Sequence, residues 1–224
     1  YAAYVHGSER LSAGFDKAMG RLHDVVEHWK ADNNDEAFRI LKSCESIPML
    51  SADHDEAMLQ FAYMWQAFDE YEEAIRVAKR IKSPNKLWGA WPIIAVSHIY
   101  LDDYDEAMKA TRQAQKQSPN HPNVQLLLSS IYANQDRLDE SADAIVQALT
   151  DCPEDSSLWR STVSNTRTKD IPLLVETMIK YNIDYGWQRL LSEADGSTNW
   201  AKAFVEHIDT CDNVPAGMLE LAQG

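Results

Sequence analysis

The sequence is poor in glycine and proline, and it lacks any long apolar run. Glycine and proline occur only 8 times each in 224 residues. This scarcity disfavours an all-β fold, because such folds need many turns. No stretch of about 18 consecutive apolar residues is present, so we expect no membrane insertion. A hydrophobic fraction of 45% and a charged fraction of 25% are typical of a soluble folded protein.

Cysteine is scarcer still: only Cys44, Cys152 and Cys211 are present, far apart in the chain. Their odd number and wide spacing predict neither a disulfide framework nor a zinc site. Reduced thiols are therefore expected, which favours a cytoplasmic protein. The chain begins at Tyr1 rather than Met, and a periplasmic protein whose leader had been removed would look the same.

Basic residues are in deficit, with 21 lysines and arginines against 35 acids and a net charge of −14. Such a charge repels phosphate backbones, so we expect no nucleic-acid partner. The distribution is uneven: residues 43–75 hold eight acids and no Lys or Arg, whereas residues 76–90 hold five bases and no acid. Acidic helix starts and basic helix ends explain most of this pattern. The alternative is an acidic surface that steers a basic partner.

Signatures of catalysis are missing as well. The sequence contains no phosphate-binding or dinucleotide-binding glycine pattern, no H-E-x-x-H and no G-x-S-x-G. His23 and Glu27 share a helix face, but His28 points elsewhere, so a metal site is not expected there. We therefore predict a protein that is not an enzyme, with no catalytic residue, no metal and no cofactor.

What the sequence does contain is a repeat of 34 residues. When residues 88–121 are aligned with residues 122–155, Tyr104-Asp105-Glu106-Ala107 falls on Leu138-Asp139-Glu140-Ser141 and Pro119 falls on Pro153. A fixed period of this length is typical of a solenoid, in which each unit buries its apolar face against a neighbour.

Apolar periodicity predicts that each unit is a pair of helices. The fifth pair is degenerate, and two further helical stretches follow it. The predicted helices are 11–30, 35–44, 55–67, 71–82, 88–101, 104–117, 122–134, 138–150, 171–181, 185–194 and 199–210.

The repeated positions resemble the tetratricopeptide repeat family. The family pattern is Trp, Leu, Gly, Tyr, Ala, Phe, Ala and Pro at unit positions 4, 7, 8, 11, 20, 24, 27 and 32. Residues 88–121 place there Trp91, Ile94, Ala95, His98, Ala107, Thr111, Ala114 and Pro119. The glycine at position 8 and the aromatic residue at position 24 are absent. The predicted organisation is an N-terminal helical lead-in (1–17), four repeats (18–54, 55–87, 88–121 and 122–155), a degenerate fifth repeat (156–182) and a helical cap or docking segment (183–224).

This resemblance implies an all-α, right-handed α-solenoid whose first helices line a concave groove. The groove would be apolar over the first three repeats and would bind an extended peptide or an amphipathic helix of a protein partner. The implied groove residues are Leu22, Val26, Trp29, Leu59, Tyr63, Val96, Ile99 and Tyr100, followed by Arg160 and Arg167, which would hold an acidic end of the ligand.

The expected function is accordingly that of a protein–protein interaction scaffold, adaptor or assembly factor. One alternative is a regulatory or substrate-presenting module of a larger enzyme, such as a transferase. A second alternative is a homo-oligomer whose groove binds a neighbouring copy, and a terminal segment of the same chain could also fill the groove.

Overall fold

The computed structural model describes residues 2–119, 121–152, 162–163, 166–183, 190 and 198–217. Within these residues the chain forms α-helices and one short 3₁₀ turn, with no strand. The all-α helical-repeat class predicted from the sequence is therefore confirmed. The chain divides into two compact units, Tyr1–Asp103 and Tyr104–Gly224.

The first unit contains five helices, and the second contains five more among its described residues. Those of the first unit are α1 (Ala2–Lys30), α2 (Asn34–Cys44), α3 (Ser51–Ala67), α4 (Tyr71–Ala78) and α5 (Pro84–Tyr100). Those of the second are α6 (Tyr104–Gln117), α7 (Pro122–Asn134), α8 (Leu138–Asp151), α9 (Ile171–Lys180) and α10 (Thr198–Ile208), with the 3₁₀ turn Thr168–Asp170 before α9.

Some helix bounds differ from the predicted ones. Helix α1 starts at Ala2 instead of residue 11, and α4 stops at Ala78 instead of residue 82. Helix α5 starts at Pro84 instead of residue 88. Proline fits the first helical turn because its missing N–H would have no intrahelical partner there. The predicted helix 185–194 lies outside the described residues except for Leu190.

The core of the first unit is built from large side chains of one helix set against small side chains of the next. Phe61 and Trp65 of α3 are almost completely buried. Ala37 and Ala74 have no exposed surface, so α2 can approach α1 closely and α4 can approach α3 closely. The Phe38 ring lies 5.2 Å from the Trp65 ring, measured between centroids.

A buried carboxylate joins three helices of this unit. Glu45, just after α2, is only 8% exposed. Its Oε1 accepts hydrogen bonds from Trp65 Nε1 at 3.0 Å and Arg76 Nη2 at 2.8 Å. Its Oε2 accepts from Arg80 Nη1 at 2.9 Å. Because charged partners satisfy this buried acid, the end of α2 is fixed against α3 and α4.

The turn inside each helix pair is three residues long, and its middle residue has a positive φ. The residues are Asp32, Asp69, Asp102 and Asp136, with φ values of 55°, 60°, 57° and 56°. In each turn the next backbone N–H bonds back to a carbonyl oxygen of the preceding helix, for example Glu70 N to Trp65 O at 3.0 Å. This is the Schellman type of helix end. Asp tolerates the left-handed conformation better than most residues.

The second unit has an apolar core that includes residues of α8, α9 and α10. Leu149, Val175 and Phe204 are fully buried in it. Trp200 Nε1 donates a hydrogen bond to Thr166 O at 3.1 Å, which connects α10 to the segment before α9.

Candidate partner-binding surface

The first helices of the predicted repeats lie side by side in the first unit. Helix α1 contacts α3, and α3 contacts α5. Gln66 Nε2 donates hydrogen bonds to Ile93 O at 3.2 Å and Ser97 Oγ at 3.1 Å. A Cβ placed on Gly89 would lie 3.0 Å from Leu59 Cδ2. Glycine at this position therefore lets α5 lie closely against α3.

Eight predicted groove residues lie on these three helices. Their spacing places those of each helix on one side, because residues three, four or seven apart share a face. All eight keep part of their side chains accessible, and we call them together the apolar face: Leu22, Val26, Trp29, Leu59, Tyr63, Val96, Ile99 and Tyr100.

The three aromatic residues are the most exposed members of the apolar face. Trp29 is 41% exposed, Tyr63 45% and Tyr100 64%. The five aliphatic residues between them are half-buried. Exposed aromatic side chains on a continuous apolar surface are typical of protein-binding sites.

Neighbouring aromatic rings hold two of these side chains in place. The Trp29 ring lies 5.1 Å from the Phe68 ring between centroids. The Tyr100 ring stacks on Tyr71 at 4.7 Å with an interplanar angle of 2°. Side chains that are held before binding lose less conformational entropy when a partner docks.

The phenols of Tyr63, on the apolar face, and Tyr71, beside it, stay protonated at neutral pH. Tyr71 donates a hydrogen bond from its hydroxyl to Asp69 Oδ1 at 2.7 Å, which raises the pKa of Tyr71 to about 12. Burial of its hydroxyl raises the pKa of Tyr63. Both rings therefore present a neutral, amphipathic surface.

The two predicted arginines belong to the part of the chain that follows the first unit. Arg160 lies outside the described residues. Arg167 belongs to the second unit, where its Nε donates to Asp170 Oδ2 at 2.5 Å and its Nη2 lies 4.0 Å from Asp136 Oδ1. The hydrogen bond to Asp170 raises the pKa of Arg167. Its guanidinium is already neutralised by local carboxylates.

Sequence reasoning missed the contacts that shape the apolar face. It predicted neither the close contact of Gly89 with Leu59 nor the hydrogen bonds by which Gln66 links α3 to α5. It also missed a basic cleft after α4, although the five bases of residues 76–90 were a visible signal.

The described residues were compared with what a metal site and a membrane-spanning helix require. Among them no group of three His, Cys, Asp or Glu side chains could hold a metal ion. None of the helices described is both long and apolar enough to cross a bilayer.

Comparison with known families identifies the repeat. Residues 99–164, which contain α6, α7 and α8, match the family model described as Tetratricopeptide repeat. This part of the chain is therefore similar to tetratricopeptide repeats. The resemblance drawn from the sequence is confirmed there, and it supports a protein–protein interaction module as the class of function. No curated protein shows significant similarity to the chain.

Proposed function

We propose that the protein is a scaffold or adaptor whose apolar face binds a peptide or an amphipathic helix of a partner protein. The proposal depends chiefly on the exposed aromatic residues Trp29, Tyr63 and Tyr100 on adjacent helices. An amphipathic helix places an apolar residue every three or four positions. Such a ligand could bury its apolar side against these aromatic residues and keep its polar side in water.

The decisive experiment is site-specific photo-crosslinking in native extract. A photoreactive phenylalanine analogue replaces Tyr63 in one protein and Tyr181 in another. Tyr181 is a matched control, because it is 43% exposed but lies after α9 in the second unit. We expect a discrete partner adduct from position 63 that is absent from position 181.

A double variant then measures what the aromatic residues contribute. Tyr63→Ala/Tyr100→Ala should weaken binding of the crosslinked partner by about tenfold or more, because buried tyrosines are frequent hot spots. Tyr181→Ala should bind as the wild type does. Equal binding by the double variant would contradict the proposal. Adducts only to a second copy of the chain would show self-assembly in place of a partner.

A further inference from the structure

A second surface of the first unit is a cleft beside the turn between α4 and α5. Its volume is about 690 Å³, and it shares no residue with the apolar face. Clefts of this size accommodate several ligand groups. Its lining residues are Met49, His54, Asp55, Lys79, Arg80, Lys82 and Ser83.

The cleft is rich in basic residues although the chain has a net charge of −14. Its one acid and two of its basic residues, His54 and Arg80, are already engaged. His54 Nδ1 lies 3.3 Å from Asp55 Oδ1. Asp55 Oδ2 accepts hydrogen bonds from Ser83 N at 2.7 Å, Ser83 Oγ at 2.5 Å and Lys82 N at 3.0 Å. Arg80 Nη1 donates to Glu45 Oε2 at 2.9 Å. These contacts fix the walls of the cleft and leave Lys79 and Lys82 as its remaining cations.

Lys79 and Lys82 differ from three of the other four lysines of this unit. Lys30, Lys42 and Lys86 each form an ion pair with a glutamate. Lys79 and Lys82 are exposed, and no carboxylate in the described part of the chain forms an ion pair with either. Two ammonium groups without an ion-pair partner among the described residues therefore border one cleft, and its single carboxylate, Asp55, already accepts hydrogen bonds from Ser83 and from Lys82 N.

We propose that this cleft binds an acidic peptide segment of a protein partner, with carboxylates pairing to Lys79 and Lys82. Charge complementarity favours an anionic ligand. The net charge of −14 disfavours a nucleic acid, which needs many phosphate contacts. Met49 supplies an apolar part of the wall, so the cleft suits a peptide that combines carboxylates with small apolar side chains.

The probe for this site is a fluorescein-labelled peptide of alternating glutamate and alanine, followed by fluorescence anisotropy. The same peptide with glutamine at each glutamate position is the neutral control. We expect binding of the glutamate peptide that weakens with added salt, and no binding of the glutamine peptide.

Two double variants of equal net charge separate the cleft from the overall charge. Lys79→Ala/Lys82→Ala should weaken binding about tenfold, because charge-assisted hydrogen bonds at two points are lost. Lys17→Ala/Lys116→Ala removes two exposed lysines outside the cleft and should change binding by less than about twofold. Circular dichroism of both variants checks that they fold.

Several results would overturn the proposal. One is an equal loss in both double variants, which would show a response to net charge alone. Another is unchanged binding after removal of Lys79 and Lys82. A third is equally tight binding of inorganic phosphate, which would make the cleft a site for small oxyanions. Tyr63→Ala/Tyr100→Ala should bind the glutamate peptide normally, so failure of the apolar face and failure of the cleft are distinguishable.

Discussion

Asp55 keeps a negative charge inside the protein and is only 5% exposed. Burial by itself would raise the pKa of its carboxyl group. Hydrogen bonds from the Ser83 side chain and from the backbone N–H groups of Ser83 and Lys82 outweigh burial and lower the pKa to about 2. The charged form of Asp55 therefore holds the turn before α5 against α3.

This pKa predicts how stability depends on pH. The folded-state pKa is below the unfolded value of about 3.9, so the stabilisation is present above that value and is lost as pH falls towards about 2. We expect Asp55→Asn to lower the free energy of unfolding by about 2 kcal/mol at pH 7. The difference from the wild type should shrink between about pH 4 and pH 2. Urea unfolding at a series of pH values measures both effects.

Asp53→Asn provides the control for this measurement. Asp53 lies in the first turn of the same helix, is half-buried, and receives none of the three hydrogen bonds made to Asp55. Its substitution should change the free energy of unfolding by less than about 0.5 kcal/mol. A difference between Asp55→Asn and wild type that stays constant down to about pH 2 would refute the role assigned to Asp55.

At the scale of single residues, the sequence does not predict the hydrogen bonds that Glu45 and Asp55 accept. It indicates that acids cluster between residues 43 and 75 and explains them mainly as helix starts. Glu45 and Asp55 are instead buried acceptors. Their partners Arg76, Arg80 and Ser83 lie 28 to 35 positions away in the chain. A local pattern carries no information about pairs that only the packing of helices brings together.

Among the helices, α1 contains two glycines in contrasting surroundings. A Cβ on Gly14 would overlap the carbonyl oxygen of Pro48, whereas a Cβ on Gly20 would meet nothing within 4 Å. Gly14 therefore permits a close approach between α1 and the segment after α2. Gly20 has no such role and only weakens the helix.

Alanine at the two positions should have opposite effects on stability. We expect Gly14→Ala to destabilise the protein by about 2 kcal/mol, because backbone must move to relieve the overlap. Gly20→Ala should stabilise it by about 0.5–1 kcal/mol through helix propensity. Thermal and urea unfolding of the two variants measure the difference. Stabilisation by both substitutions would show that α1 does not approach Pro48 closely.

The helices could be predicted from the sequence because their apolar residues recur every three or four positions. The sequence predicts α6 and α7 with the bounds that the structure has. It predicts that α5 begins at Trp88, because Ser83-Pro84-Asn85 is typical of a turn between two helices. Pro84 is instead in the first helical turn. Proline is common both at helix starts and between helices, so its presence does not settle which residue begins the helix.

For the molecule as a whole, the first unit should fold without the second. It has an extensive buried core of its own around Phe61 and Trp65, and solenoid repeats interact mainly with their neighbours. We expect a chain ending at Asp103 to be helical and to unfold cooperatively on heating. Circular dichroism as a function of temperature tests this.

A shorter chain ending at Ser83, which keeps the partners of Glu45 and Asp55, is the comparison. It lacks α5, so Leu59 loses its contact with Gly89 and Gln66 loses its hydrogen bonds to Ile93 and Ser97. We expect its melting temperature to fall by about 5 °C or more relative to the chain ending at Asp103. Non-cooperative melting of the longer chain would contradict an independent first unit.

The fold class could be predicted from the 34-residue repeat, because repetition of one helix pair restricts the architecture. The apolar face could be predicted only as a set of accessible positions. The positions of its aromatic side chains depend on the stacking of Tyr100 on Tyr71 and on the contact between the Trp29 and Phe68 rings. These contacts join residues of neighbouring helix pairs, and the family pattern does not specify them.

The four aspartates with positive φ indicate where the chain could gain or lose residues. Asp32, Asp69, Asp102 and Asp136 each lie two residues after the end of one helix and two before the start of the next. Their separations nevertheless vary from 33 to 37 residues. All of that variation lies outside the three-residue turns. We therefore expect insertions and deletions outside these turns to be better tolerated than insertions within a turn, which would rotate one helix against its partner. Equivalent turns are also natural crossover points at which recombination could duplicate or remove a whole pair, because the joined backbones have the same conformation.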